Sequence, residues 1–371
     1  MTMPFIDLAA QQSRIRTRLD SAIGRVLDEG AYVMGPEVRQ FEEQLSAFCG
    51  AKHSLACANG TDALSLALMA LGIKAGDAVF VPSFTFAATA EVVPFIGATP
   101  IFVDVLPDTF NMDVESLKRG IQEAKKLGLT PKCVIPVDLF GLAADFDAIQ
   151  AVARENGLTI IDDAAQGFGA DYRGRIVGSI GDITTTSFFP AKPLGCYGDG
   201  GAIFTNDDRL AALIDSYRIH GKGSHKYDNE RIGMNSRLDT LQAAILIEKL
   251  AIFPDEIEER QNVAQRYSAG LADRYGVPFI PEGLKSTWAQ YTIKARSEAE
   301  RAEVQSKAKD AGIPTAIYYP IPLHAQTAFR DYPRDPNGLP VSEDLARRVI
   351  SLPMHPYLGA QVQDRVMEAI R

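Results

Sequence analysis

The sequence has no hydrophobic run approaching the roughly 18 residues that a membrane-spanning helix needs. Its first residues, MTMPFIDLAAQQ, lack the basic segment of a secretion signal. Basic residues are in deficit, 38 against 47 acidic ones, which gives a net charge of -9. Nucleic-acid binding requires clustered Lys and Arg, which this balance disfavours. We therefore expect a cytoplasmic protein that binds neither membranes nor nucleic acids, and any anionic ligand needs a local positive site.

The chain also has few cysteines and no CxxC pair. Its four cysteines stand in apolar or glycine-rich surroundings: Cys49, Cys57, Cys133 and Cys196. Closely spaced cysteine pairs are typical of zinc sites, and disulfide frameworks are typical of small secreted chains. We therefore expect buried free thiols rather than disulfides or a metal site.

A glycine fingerprint for nicotinamide cofactors is missing as well. A doubly wound oxidoreductase needs GxGxxG after its first strand and an acidic residue about 20 positions further on. The corresponding stretch, ANGTDAL, begins at Ala58 and lacks that spacing. A nicotinamide-dependent oxidoreductase is therefore disfavoured.

What the sequence does contain is an alternation of short β-branched runs and helical patterns from residue 54 to about 250. Strands that are apolar throughout and separated by helices are typical of a mostly parallel α/β sheet covered on both faces. The length of 371 residues favours two domains. A helical stretch interrupted at Pro254, followed by a second helix, predicts the connector. We expect a large α/β domain over residues 1–252 and a smaller C-terminal α+β domain over residues 253–371.

Four segments are expected to meet where the strands end, because ligands bind at that edge of such sheets. In NGTDAL, Gly60 leads directly into a helix, whose free amides form an anion site. The alternative is an ordinary helix cap by Thr61 or Asp62. In TFAATAE, Phe86 follows a strand and offers a flat ring, although an isolated Phe is more often a core residue.

The other two segments supply a carboxylate and a lysine. In IIDDAAQ, Asp163 ends an apolar strand without a basic neighbour, so a charge buried there needs a partner. The alternative is that Asp162 and Asp163 cap a following helix. In SFFPAKPLGCYGDGG, Lys192 stands among aromatics, prolines and glycines, five residues after Ser187. Such a setting is more typical of a reactive lysine than of a lysine that only solubilises the surface.

Together these four elements are what pyridoxal phosphate requires. A lysine forms a Schiff base with the cofactor, and a carboxylate keeps its pyridine nitrogen protonated so that the ring accepts electrons. An aromatic side chain stacks on the ring, and a helix N-terminus binds the phosphate. No single element identifies the cofactor. Their occurrence in this order predicts an enzyme that uses this cofactor.

Six segments resemble the sugar aminotransferases of the DegT/DnrJ/EryC1/StrS family, over essentially the whole chain: NGTDAL, TFAATAE, DDAAQ, SFFPAKPLGCYGDGG, GMNSRLDTLQAAIL and YYPIPLH. The resemblance implies the fold type I aminotransferase architecture and a homodimer with shared active sites. It implies that Lys192 binds the cofactor covalently and that Asp163 contacts its pyridine nitrogen. The other cofactor-binding residues it implies are Gln166 beside the phenolic oxygen, Phe86 on the ring, Gly60, Thr61, Asp62 and Ser187 at the phosphate, and Asn235 from the other subunit.

The reaction implied is a transamination in which glutamate is the amino donor and a ketone on a nucleotide-linked sugar is the acceptor. Lys192 would move a proton between cofactor and substrate, for which its amine must be partly neutral. The segments around Lys192 and Arg237 most resemble the branch that aminates C3 of UDP-2-acetamido-2-deoxy-3-oxo-glucuronate, for surface polysaccharides such as O-antigen. The alternative substrate is a 4-keto-6-deoxy hexose on UDP, GDP or dTDP.

The diphosphate of such a substrate needs positive contacts that the overall charge does not provide. The loop RIHGKGSHKY concentrates Arg218, Lys222 and Lys226 with two histidines and two glycines. We expect this loop to clamp the diphosphate, and an exposed flexible loop without that role is the alternative.

Three further residues are expected at the sugar. Arg237 is a candidate for binding a carboxylate, since a guanidinium matches its geometry, or for an intersubunit salt bridge. Tyr319 and His324, in YYPIPLH, are expected to face the substrate, and a packed tyrosine is the alternative.

A protein that binds pyridoxal phosphate without transaminase activity is the remaining hypothesis. A sugar dehydratase relative has histidine in place of the lysine, so Lys192 disfavours it. A regulator would add a DNA-binding module, for which the chain has no spare segment.

Overall fold

The computed structural model describes residues 3–225 and 227–371. The strands in chain order are β1 His53–Cys57, β2 Asp77–Pro82, β3 Thr99–Val103, β4 Thr130–Val134, β5 Thr159–Asp163, β6 Asp171–Tyr172, β7 Arg175–Ile176, β8 Ile183–Ser187, β9 Gly201–Thr205, β10 Leu284–Lys285, β11 Tyr291–Lys294 and β12 Val349–Leu352. The α-helices are α1 Leu8–Glu29, α2 Pro36–Cys49, α3 Gly60–Ala70, α4 Ala88–Phe95, α5 Val114–Lys126, α6 Phe146–Asn156, α7 Asp208–Tyr217, α8 Thr240–Leu250, α9 Phe253–Leu271, α10 Glu298–Asp310, α11 Pro340–Arg348 and α12 Ala360–Ile370.

Seven strands form the central sheet, in the order β1-β9-β8-β5-β4-β2-β3. Neighbours from β8 through β3 pair in parallel, whereas β9 runs antiparallel to both β8 and β1. The predicted mostly parallel α/β sheet is thus confirmed. Since β1, β8 and β5 point the same way, the segments that follow them emerge at the same edge of the sheet.

Helices cover both faces of this sheet, as the alternating side chains of its strands require. On β2, Val79 and Val81 pack in the layer that contains α3, α4 and α7. Their neighbours Ala78 and Phe80 pack on the opposite face, with α5 and α6. A third group of buried side chains joins α2 and α8 to the β9 end of the sheet. The N-terminal helices α1 and α2 precede the alternation that the sequence predicted.

The C-terminal part of the chain has a hydrophobic core of its own. It is formed by side chains of α9, α10, α12 and the antiparallel pair β11–β12, among them the fully buried Tyr267 and Tyr291. Helix α9 begins at Phe253 with Pro254 in its first turn, as the interrupted pattern predicted. The division of the chain between residues 252 and 253 stays a prediction.

Two expectations from residue content can be compared with the structure. All four cysteines are free and buried, as predicted. Within the described residues, no helix is both long and apolar enough to cross a membrane.

Candidate active site

Asp163 is the last residue of β5, and the structure buries it to 5% exposure. Thr89 Oγ1 donates a hydrogen bond to its Oδ2 at 2.8 Å, and the backbone N–H of Ala165 donates to its Oδ1 at 3.2 Å. Burial raises the pKa of Asp163, and the two hydrogen bonds and nearby Lys192 act in the opposite direction. Residues 164–170 form turns rather than a helix, so the helix-cap alternative for this carboxylate is wrong.

Lys192 lies in the turn that connects β8 to β9, and it is partly buried. Its backbone N–H donates to the carbonyl of Phe189 at 2.8 Å. Within the part of the chain that the structure describes, its Nζ has no hydrogen-bond or salt-bridge partner. Burial lowers the pKa of Lys192, while Asp163 raises it, which places the two groups within electrostatic range of each other. The Lys192 amine is therefore free to form a bond with a ligand.

The N-terminus of α3 meets the end of β8 to form a small anion cradle, defined by Gly60, Thr61 and Ser187. A Cβ atom at Gly60 would lie 2.7 Å from Cβ of Ser187, so only glycine fits at this contact. Asn59, rather than Thr61 or Asp62, caps the helix: its Oδ1 accepts from the Asp62 N–H at 2.8 Å. The two cap alternatives are therefore wrong, and the amide of Asp62 is already used.

The backbone N–H groups of Gly60 and Thr61 have no acceptor among the described residues. Ser187 is the last residue of β8, and its Oγ accepts a hydrogen bond from the Phe189 N–H at 3.3 Å. Its hydroxyl proton remains available as a donor. Free amides at a helix N-terminus with a hydroxyl beside them are suited to a phosphate group.

An aromatic ring and an amide complete the group. Phe86 is 55% exposed, so the expectation that an isolated Phe belongs to the core is wrong here. Its ring centroid is 6.4 Å from that of Tyr319. Gln166 Nε2 donates to Tyr319 Oη at 3.1 Å, and Gln166 Oε1 accepts from the Phe140 N–H at 2.8 Å. Tyr319 is thus placed beside two predicted cofactor residues, and burial raises the pKa of its phenol.

Asn235 and Arg237 line a cleft of about 450 Å³ together with Asn59, the residue that caps α3. Gly198 and Asp199, from the turn that carries Lys192, line it as well. The cleft is therefore adjacent to the anion cradle. A contribution of Asn235 to the site of a second subunit stays a proposal.

Two predicted substrate residues are not brought to this group. His324 is 3% exposed; its Nδ1 lies 2.6 Å from Ser83 Oγ and its Nε2 lies 3.2 Å from Glu343 Oε1. Both ring nitrogens are occupied, and burial lowers the pKa of the ring. Lys222 is exposed on its loop. Among the described residues, none of the other predicted site residues forms a hydrogen bond or salt bridge with it.

The loop that was expected to clamp a diphosphate is less positive than its sequence suggests. Arg218 is 4% exposed, and its guanidinium pairs with Glu42 at 2.5 Å and with Asp215 at 2.6 Å. It also donates to the carbonyl of Ala56. Arg218 is therefore a structural residue, and its assignment to the clamp is wrong. Lys226 lies outside the described residues.

Sequence reasoning missed two features beside Asp163. One is Thr89, which holds its carboxylate and lies within the TFAATAE segment. The other is a pair of buried carboxyl groups, Asp138 and Asp162, each with one oxygen that has no other partner among the described residues. They contact each other, and burial raises the pKa of Asp138 to about 8 and also raises that of Asp162. Burial and the proximity of the two groups therefore favour the protonated form of the pair.

The residues present fit pyridoxal phosphate. The cradle that a Cβ at Gly60 would fill offers free amides for a phosphate, and the unpaired Lys192 amine lies within electrostatic range of the buried Asp163. The exposed Phe86 ring has a face available for stacking. These features define the site of an enzyme that handles amino groups with this cofactor.

Comparison with known proteins agrees with that class. The model of the DegT/DnrJ/EryC1/StrS aminotransferase family matches residues 13–371. The chain is 50% identical over 357 residues to the UDP-2-acetamido-2-deoxy-3-oxo-D-glucuronate aminotransferase of Pseudomonas aeruginosa, covering 95% of each chain. The chain belongs to the DegT/DnrJ/EryC1/StrS aminotransferase family, and the prediction of a pyridoxal phosphate-dependent aminotransferase is confirmed.

Solved structures give the same result. The crystal structure of a DegT/DnrJ/EryC1/StrS aminotransferase from Brucella abortus has a TM-score of 0.98 and 55% identity, covering 100% of this chain and 98% of that one. NtdA from Bacillus subtilis, solved with bound cofactor PMP, has a TM-score of 0.88 and 31% identity, covering 100% of this chain and 84% of that one. The predicted fold class is confirmed.

Proposed function

We propose that the chain transfers an amino group from glutamate to a keto group of a nucleotide-linked sugar, with pyridoxal phosphate as its cofactor. The observation that carries the proposal is the unpaired Lys192 amine in electrostatic contact with the buried Asp163 carboxylate. Asp163 ends β5 and Lys192 follows the end of β8, at the edge of the sheet where the anion cradle lies. Family membership supports the same activity.

The cofactor would supply an electron sink for the substrate carbon that loses or gains a proton. Lys192 would hold it covalently, and Asp163 would hold a proton on the pyridine nitrogen, because a buried carboxylate stabilises a cation beside it. The remaining residues that would hold it are Gly60, Thr61 and Ser187 at the phosphate, Phe86 on the ring, Gln166 at the phenolic oxygen, and Asn235 from a second subunit. Asp62, whose amide bonds Asn59, would support the helix end at the phosphate rather than contact the phosphate itself.

Lys192 would also move the proton at the reacting carbon through its Nζ. Burial lowers the pKa of Lys192, which increases the fraction of unprotonated amine that can accept a proton near neutral pH. Asp163 would remain charged during this transfer because Thr89 and Ala165 hold its two oxygens by hydrogen bonds. The role of Lys192 requires an unprotonated amine, whereas that of Asp163 requires a charged carboxylate. The two buried groups have different partners, which favour these two states.

The first candidate acceptor is UDP-2-acetamido-2-deoxy-3-oxo-glucuronate, aminated at C3 for surface polysaccharide biosynthesis. A relative that is 50% identical carries that substrate in its name. Arg237, in the cleft beside the cradle, would bind the sugar carboxylate, and Tyr319 would face the sugar next to Gln166. Lys222 would approach the diphosphate from its exposed loop. His324, with both nitrogens occupied, would act only by positioning Ser83.

We also propose that the enzyme is a cytoplasmic homodimer with shared active sites. The segment between α1 and α2 exposes three large apolar side chains, Tyr32, Val33 and Met34, to 49, 53 and 39%. Val33 lines the same cleft as Asn235. A large apolar patch beside a ligand site favours a subunit interface.

Mixed dimers test this arrangement. If Asn235 serves the partner's site, inactive Lys192→Ala and Asn235→Ala subunits regain activity on mixing, since one site of each mixed dimer receives both native residues. If Asn235 serves its own site, mixing restores nothing.

The activity is tested by glutamate-dependent amination of a panel of keto-sugar nucleotides, read by mass spectrometry. The panel includes the 3-oxo-glucuronate and 4-keto-6-deoxy hexoses on UDP, GDP and dTDP. Lys192→Ala should abolish product formation, whereas Lys285→Ala, at an exposed lysine in β10, should leave it unchanged. Turnover by the Lys192→Ala protein would refute the role of Lys192, and amination of a different sugar would refute the substrate alone.

A further inference from the structure

The turn that carries Lys192 is held together by its own backbone. Besides the bond from Lys192 to the Phe189 carbonyl, the backbone N–H of Cys196 donates to the carbonyl of Phe188 at 2.8 Å. The thiol of Cys196 also lies 3.0 Å from that carbonyl. These bonds close the turn, but they do not fix its position relative to the rest of the protein.

A buried lysine in α8 provides one external attachment. Lys249 is 1% exposed, and its Nζ donates to the carbonyl of Gly195, three residues after Lys192, at 2.6 Å. The same Nζ lies 4.0 Å from the centroid of the Tyr197 ring. Within the described residues, no carboxylate forms a salt bridge with it. Burying an ammonium group without a carboxylate partner costs free energy. The contacts of Lys249 with the Gly195 carbonyl and the Tyr197 ring offset part of that cost.

A second attachment comes from the same face of α8. Gln242 precedes Lys249 by two helical turns, which places both side chains on one side of the helix. Gln242 Oε1 accepts from the backbone N–H of Tyr197 at 2.8 Å. The turn is thus bonded to α8 on both sides of Cys196.

We propose that Lys249 is a positioning residue for Lys192: its ammonium fixes the Gly195 carbonyl and the Tyr197 ring, and so orients the turn for attachment of the cofactor. The inference rests on the proposed function of Lys192. Lys249 contacts neither the anion cradle nor Asp163 in the described structure, so its effect passes through the turn.

Because the positioning role uses the positive charge of Lys249, we expect it to depend on pH. Burial lowers its pKa to about 8. The titratable groups that face it are Cys196 and Tyr197 in the turn and Glu256 in α9. Burial raises the pKa of the Cys196 thiol to about 11 and also raises that of Tyr197. Of the lysine, the thiol and the phenol, only Lys249 therefore changes charge as the pH rises through 8, and it loses its positive charge.

The test uses Lys249→Met, which keeps an unbranched side chain of the same length up to the ε position and removes the ammonium donor. Apoprotein is mixed with pyridoxal phosphate, attachment is followed by absorbance, and borohydride-trapped Lys192 peptide is quantified by mass spectrometry. Leu241→Ala is the matched control, because Leu241 packs in a cluster whose members all belong to α1 and α8: Ala22, Val26 and Ala244. Thermal unfolding of the apoproteins measures the stability cost of each change.

We expect attachment to Lys192 to slow by about tenfold in Lys249→Met near pH 7, the size of one lost charge-assisted hydrogen bond. The difference in attachment rate between Lys249→Met and the unsubstituted protein should become smaller as the pH rises from 7 to 10, because Lys249 loses its charge. Leu241→Ala should attach the cofactor at the original rate despite a lower melting temperature. If Lys249→Met fails to fold, Gln242→Ala replaces it, with slower attachment expected.

Unchanged attachment in Lys249→Met, a difference in rate independent of pH, or equal slowing by Leu241→Ala would overturn the positioning role. Absence of the trapped peptide in the unsubstituted protein would instead refute the proposed function of Lys192. The two failures are therefore distinguishable.

Discussion

Replacement of Gly60 by alanine tests the anion cradle most directly. The added Cβ would lie 2.7 Å from Cβ and 3.3 Å from Cα of Ser187, so a backbone atom as well as the side chain obstructs it. Restoring an ordinary contact of at least 3.4 Å means that α3 and β8 separate by about 0.7 Å. A hydrogen bond of about 2.9 Å across the cradle would lengthen to roughly 3.6 Å, beyond the useful range.

The loss of one charge-assisted hydrogen bond costs about 1.5–3 kcal/mol. We therefore expect the dissociation constant for pyridoxal phosphate to rise by about 10- to 100-fold in Gly60→Ala. The measurement is an absorbance titration of apoprotein with the cofactor. Overpacking at this contact should also lower stability by about 1–3 kcal/mol, read by denaturant unfolding of the apoprotein.

Gly24→Ala is the matched control. Gly24 lies within α1, and a Cβ atom there would meet nothing within 4 Å. The substitution should stabilise the helix by about 0.5–1 kcal/mol and leave cofactor affinity unchanged. If Gly60→Ala is folded and binds pyridoxal phosphate as tightly as Gly24→Ala does, the phosphate is not held at the contact between α3 and β8.

Three further outcomes are expected. Asp163→Asn should retain the cofactor but slow glutamate-dependent conversion by orders of magnitude, because the amide does not keep the pyridine nitrogen protonated; equal rates in stopped-flow traces would remove that role. The carboxyl pair makes stability fall as the pH rises from 3.8 to about 8, since burial raises the pKa of Asp138 and Asp162 and the folded chain retains a proton that the unfolded chain releases. Asp138→Asn should flatten the dependence of melting temperature on pH in that window, and parallel curves for the two proteins would contradict this account. Lys222→Ala should raise the Michaelis constant for the sugar nucleotide several-fold relative to Lys285→Ala, and an unchanged constant would show that the loop does not clamp the diphosphate.

The sequence predicted those parts of the site that depend on local order along the chain. Asp163 was expected at the end of a strand because an apolar run precedes it, and the structure confirms that position. Gly60 was expected to lead into a helix, and α3 begins there. Parallel strands bring such ends to one edge, so the pattern of strands was sufficient to group them.

The parts that it did not predict depend on contacts between distant segments. Arg218 looks like a free cation in its loop, but Glu42 lies 176 positions earlier and neutralises it in the fold. Lys249 follows a regular helical pattern, and its bond to Gly195 spans 54 positions. His324 is buried against Ser83, 241 positions away. A single sequence contains no signal for pairings of this kind, because charge and polarity specify that a partner is needed and not which one.

The single reversed strand described in the central sheet, β9, has a consequence for how this enzyme could diversify. Parallel neighbours need a connection that travels back across a face of the sheet. Because β9 is antiparallel to β8, the connection that bears Lys192 starts and finishes on the same rim and needs no crossover helix. Insertions or deletions in that segment would therefore reshape the reaction chamber without a change of strand register, provided that its bonds to Gln242 and Lys249 of α8 are kept.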